Sequence, residues 1–143
     1  MLTHRELVIR LMMSVIFGGL IGLERELRHR GAGFRTHTLV SIGSALIMLT
    51  SLYVFDIYKD VANVDPSRIA AGVITGIGFL CAGTIMRYGG SVRGLTTAAC
   101  LWVTAAVGMA CGCGFFYAAF VSTVIILIVL LIFRKFETHL GKD

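Results

Sequence analysis

The sequence predicts an all-α membrane protein of about five transmembrane helices, with the amino terminus outside and the carboxyl terminus in the cytoplasm. Three observations predict it. Of 143 residues, 57% are hydrophobic and 15% charged, where a soluble domain carries roughly 25% charge; mean hydropathy is +0.86. The apolar residues gather in runs of membrane length. Lys and Arg collect in alternate loops, as the positive-inside bias requires. One domain covers residues 1–143.

The first apolar segment runs from about Leu7 to Leu23, near the roughly 17–25 residues a helix needs to cross a bilayer. Arg10 interrupts it and "ERELRHR" follows it, so it reads as a span rather than a cleaved leader. Ser14, Gly18 and Gly22 recur along one face. The second segment covers about Thr38–Phe55, with Ser41 and Ala45 as its small contacts. The loop before it, Glu24–His37, holds Arg25, Arg28, Arg30 and Arg35. The outer loop "DIYKDVANVDPSR" follows, with Asp56, Asp60 and Asp65 against Lys59 and Arg68. Asp65 or Ser67 can cap the next helix, and Pro66 suits its first turn.

The third segment, about Ile69–Met86, carries Gly72, Gly76, Gly78 and Ala82. The fourth, about Leu95–Cys111, carries Cys100, Thr104, Gly108 and Gly112. In lipid the attraction between helices comes from close backbone approach, so segments one, three and four are expected to form the inner cluster. The fifth, about Gly114–Phe133, has the bulky run "VIILIVLLIF" and is expected to face lipid. Phe115, Phe116 and Tyr117 suit an interface belt. Arg87, Arg93, Arg134, Lys135 and Lys142 join the basic side, leaving only Arg5, Lys59 and Arg68 opposite. A shift of 61 residues places Gly22 on Gly83, Gly33 on Gly94, Thr36 on Thr97 and Ala45 on Ala106, a weak parallel repeat of the kind known in transporters.

The basic residues sit between apolar runs, so the net charge of +5 orients the chain rather than binding nucleic acid. Cys81, Cys100, Cys111 and Cys113 lack zinc spacing and read as small packing residues. "GIGFLCAG" is not a dinucleotide fingerprint, because no strand precedes it. No nucleophile–base pair or metal cluster is visible, so neither an enzyme nor a cofactor is expected, and any metal site is left undefined.

The polar candidates lie on the basic side: Glu24, Arg25, Glu26, Arg35, Thr36, His37, Arg93, Thr96 and Thr97. Thr36 or Thr38 and Thr96 or Thr97 suit helix starts. Arg35 and Arg93 stand beside positive helix ends and need anionic partners. Glu24 is expected to pair with one of them in a partly buried network, since ionisable residues at membrane depth tend to be functional. The plainer reading is an orientation collar. Arg10, Asp65 and Arg68 are the candidates on the opposite face. Arg10 either snorkels outward or pairs with an acidic residue there.

At "GGLIGLERE" (18–26), "GAGFRTHTLVSIGSAL" (31–46), "DPSRIAAGVITGIGFLCAGTI" (65–85) and "VRGLTTAACLWVTAAVGMACGCG" (92–114) the sequence resembles the MgtC/SapB family. The resemblance implies a multi-pass protein of the bacterial inner membrane, linked to growth under magnesium limitation and to survival in host phagocytes. Members were first labelled magnesium transporters. A regulatory role is now favoured, and at least one member acts on the proton-translocating ATP synthase. Cys81 stands where the family usually has Gly. Longer members continue into a soluble domain, which "RKFETHLGKD" cannot form. The expected function is a non-enzymatic modulator of another membrane complex. The rival is a small magnesium or other ion transporter. The partners expected are the lipid bilayer, such a complex, and a second copy through the small-residue stripes.

Overall fold

The computed structural model describes residues 2–140, with side chains placed as far as Ile132. It contains five helices: α1 (His4–Leu27), α2 (Phe34–Tyr58), α3 (Ser67–Thr84), α4 (Leu95–Cys113) and α5 (Phe116–Leu140). Among the described residues, the first four are long and apolar enough to cross a membrane, and the apolar part of α5 is Phe116–Ile132. An all-α membrane fold is therefore what the chain adopts. One element was not expected, a hairpin of β1 (Met86–Tyr88) and β2 (Ser91–Arg93) between α3 and α4, with Arg87 opposite Val92.

The helix ends follow from local chemistry. Thr3 and Glu6 form a reciprocal capping box that starts α1 before the apolar run, satisfying two donors that would otherwise be orphaned. The chain leaves α1 through His29, whose φ of 53° lies in the left-handed region. The threonines do not cap. Gly33 and Gly94 occupy the N-cap positions of α2 and α4, and Thr38 donates back to the Phe34 carbonyl at 2.8 Å. Glu26 does the capping instead: its Oε2 accepts the Phe34 N–H at 2.9 Å. A Cβ on Gly33 would collide with that carboxylate. Before α3, Asp65 Oδ1 accepts the Ser67 N–H at 2.8 Å, and Pro66 holds the N-cap position. Ser51 donates to the Pro66 carbonyl, tying this start to α2. Gly114 ends α4 at φ 83°; its N–H reaches Cys111 and that of Phe115 reaches Ala110, the two-bond termination that a left-handed residue permits.

The inner cluster is α1, α2 and α4, whose mutual interfaces include the two most extensive in the chain. The expected member α3 is displaced from it by α2. Helix α3 buries Ala70, Val73, Ile77 and Cys81, mainly against Ala98, Leu101 and Ala105 of α4. Its small residues Gly72, Gly76 and Gly78 lie on other faces, where an added Cβ would meet nothing within 4 Å. The period was visible in the sequence, but it did not say which of two apolar faces was inward. The stripes of α1 and α4 are placed as expected: Ser14, Gly18, Gly22, Cys100, Thr104, Gly108 and Gly112 are all buried. Helix α5 packs on α1 and α4 through Ala119 and Thr123 and leaves Ile125, Ile128, Leu131 and Ile132 exposed.

Candidate functional site

The polar residues converge where the end of α1 meets the starts of α2 and α4. Glycines bring the backbones together. A Cβ on Gly22 would lie 2.9 Å from His37 Cβ and 2.8 Å from Phe34 Cα. One turn away, Ser41 is held between Gly18 and Gly108 and donates to the Ser14 carbonyl at 2.8 Å.

Glu24, Arg25 and His37 are buried in this junction, at 9%, 4% and 0% exposure. Arg25 Nε and Nη2 each stand 2.6 Å from Glu24 Oε2. Arg28 Nε is 3.6 Å from Oε1. The partners foreseen for Glu24 were Arg35 and Arg93; both are exposed, and adjacent arginines on the same helix take the carboxylate. Arg28 was missed as a partner, although its i,i+4 spacing from Glu24 is a readable signal. Such a buried pair adds little net stability, but breaking it costs about 3–5 kcal/mol.

His37 Nδ1 lies 3.0 Å from the Gly33 carbonyl. A carbonyl only accepts, so Nδ1 carries a proton. His37 Nε2 and Glu24 Oε1 are buried and have no hydrogen-bond partner. Of the remaining candidates, Glu26 caps α2 from an exposed position, Arg35, Thr36, Arg93 and Thr96 are exposed, and Thr97 is half-buried. The structure gathers the first half of the motif and leaves the second at the rim.

At the opposite end, half-buried Arg10 neither snorkels nor pairs with the acidic loop. It donates from Nη1 to the Gly112 carbonyl at 2.7 Å, placing a cation at the negative end of α4. It also borders an open cavity of about 420 Å³ with Glu6, Tyr53, Asp56 and Cys113. Asp65 and Arg68 are exposed outside it. Hydrogen bonds from Ser67 hold the Asp65 carboxyl below its usual range. All four cysteines are free, with Cys113 the exposed one.

Spans of this length, glycine-mediated helix contacts and a charged pair sealed between helices define a multi-pass helical membrane protein. Residues 11–139 match the MgtC family, and the chain belongs to it, as a protein of the bacterial inner membrane. It is 47% identical over 137 residues to the "Putative magnesium transporter YhiD" of Escherichia coli (strain K12), covering 94% of this chain and 64% of that protein. It is 44% identical over 135 residues to "Protein MgtC" of Salmonella typhimurium (strain LT2), covering 94% and 55%. Against "Protein MgtC" of Brucella abortus (strain 2308) it is 48% identical over 116 residues, covering 81% and 46%. The chain thus spans about half to two thirds of the curated relatives it matches. No solved structure matches it.

Proposed function

We propose that the protein is a non-enzymatic modulator in magnesium-limitation adaptation, acting through helix contacts on another complex of the inner membrane. The ATP synthase is the candidate that the family resemblance offers. The observation that carries this reading is the uncovered glycine face of α3. At Gly72, Gly76 and Gly83 the helix backbone is open, with no neighbour within 4 Å of an added Cβ. In lipid that is the condition for close approach by another helix.

The polar interior supports the same reading. Buried Ser14, Ser41, Ser44, Ser51, Thr104 and Thr123 each donate to a backbone carbonyl. These hydroxyls are committed to the fold rather than to a path for an ion. Among the described residues, no three His, Cys, Asp or Glu converge as ligands.

The second reading is magnesium transport. It is favoured by the name of the Escherichia coli relative and by the cavity that joins Glu6 and Asp56. Reconstitution separates the two. Folded, inserted protein in proteoliposomes holding a magnesium indicator should give no flux, and a photoreactive residue at Phe79 should form a specific adduct with a membrane complex in cells. Flux that Glu24→Gln abolishes would overturn the modulator and establish the transporter.

A further inference from the structure

Glu24 Oε1 and His37 Nε2 are each buried without a hydrogen-bond partner. Their residues are 9% and 0% exposed. Unpaired polar atoms at membrane depth are costly, and native structures pair them. Glu24 has only its Oε1 left, because Arg25 occupies Oε2 at 2.6 Å. His37 has only Nε2 left, because its Nδ1–H faces the Gly33 carbonyl at 3.0 Å. His37 is fully buried, so Nε2 is out of contact with bulk water in this position. With a neutral ring, both remaining atoms are acceptors. Both lack the same thing, a hydrogen-bond donor.

We propose that Glu24 and His37 form a proton-binding centre inside the helix junction. His37 Nε2 takes one proton from the aqueous phase and donates it in a hydrogen bond to Glu24 Oε1, directly or through one trapped water. No other bond changes, and the junction gains one positive charge. In the deprotonated state a trapped water, with its two O–H bonds, satisfies both acceptors.

The surrounding groups set the balance. From α1, the buried Glu24 carboxylate and Arg25 guanidinium bring opposite charges into the junction. Arg28 stands 3.6 Å from the same Oε1 and competes for it. From α4, the titratable side chain is the buried free thiol of Cys100. On α2 itself, Arg35 points out of the bundle and is exposed. Glu24 is the buried anion of this junction with an oxygen unpaired, so its removal should weaken proton binding. This inference rests on the junction geometry alone and holds whether the protein modulates or transports.

The test is nitrogen NMR of the full chain in lipid nanodiscs, with ¹⁵N-histidine and His37 assigned by a His37→Gln variant. At high pH the ring should be the Nδ1–H tautomer. It should titrate on acidification, and Glu24→Gln should lower its proton affinity at least tenfold, moving the midpoint about one pH unit down. A cross-peak from the ring to slowly exchanging water identifies the bridged form; its absence alongside the expected titration identifies the direct bond. An Nε2–H tautomer, a ring that does not titrate between about pH 4 and 9, or equal midpoints in the two proteins would overturn the centre. If Glu24→Gln does not fold, tautomer and titration in the wild type decide.

Discussion

Replacing Gly108 by Ala tests how the inner cluster is held. The new Cβ would lie 2.9 Å from Ser41 Cα and carbonyl carbon and closer still to the carbonyl oxygen. These are backbone atoms of α2, so no side chain can swing aside and the two helices must separate by a fraction of an ångström or more. Overpacking of this kind costs about 1–3 kcal/mol. Alanine returns about 0.5–1 kcal/mol through its helix preference. The net expectation is a loss of up to about 2.5 kcal/mol. Gly76→Ala is the matched control: it gains the same preference, and its Cβ meets nothing within 4 Å. It should be neutral or up to about 1 kcal/mol more stable. Reversible unfolding in mixed micelles, at a protein concentration where both variants are monomeric, measures the difference. Equal destabilisation by the two substitutions would refute the placement of α2, rather than α3, in the inner cluster.

Gly33→Ala should displace the Glu26 carboxylate from the Phe34 N–H and cost about 1 kcal/mol, the worth of a helix cap; adding Glu26→Ala to it should cost little more in the same unfolding assay. Arg25→Met strands the buried Glu24 carboxylate and should cost about 3–5 kcal/mol, most of it recovered in Arg25→Met with Glu24→Gln. Arg10→Gln removes the cation at the end of α4 and should cost about 1–3 kcal/mol, with amide exchange quickening first around Cys111–Gly114. Asp65 has a depressed folded pKa, so its contribution is full above the usual Asp range and is lost as pH falls through the folded value. The stability gap between wild type and Asp65→Asn should therefore be present near neutrality and close in acid; a gap that persists at the lowest pH would contradict the Ser67 hydrogen bonds.

The helices were legible because span length and apolar content depend on the bilayer and not on tertiary partners. Their boundaries and faces were less so. Helix α1 reaches back to His4 through the Thr3–Glu6 capping box, a signal present in the sequence but outside the apolar run. Helix α3 offered a glycine face and the face of Val73, Ile77 and Cys81, both apolar, and only packing against α4 selects the second. At the site, Glu24 and His37, two of the polar candidates, lie buried. The partners of Glu24 were not legible, because Arg25 and Arg28 looked like collar charges and the hairpin that carries Arg93 to the surface had no strand pattern to announce it.

The motif "GAGFRTHTLV" contains two kinds of residue, and helical spacing separates them. Gly33, His37, Ser41 and Ala45 recur every fourth position on one face of α2. That face meets Gly22 and Gly18 of α1, then Gly108 and Gly112 of α4, at contacts too close for an added Cβ. Arg35, Thr36 and Leu39 point away from it and are exposed. His37 is therefore the one titratable rung in a ladder of backbone contacts joining three spans. The Gly33 carbonyl holds Nδ1 of the ring, which leaves Nε2 as the atom that can gain a proton there. In the proposed proton centre the group that answers is Glu24, whose carboxylate is shared with Arg25 and Arg28 at the end of α1. A proton taken up at His37, as proposed, would fall where α1 and α2 meet closely, beside Gly22.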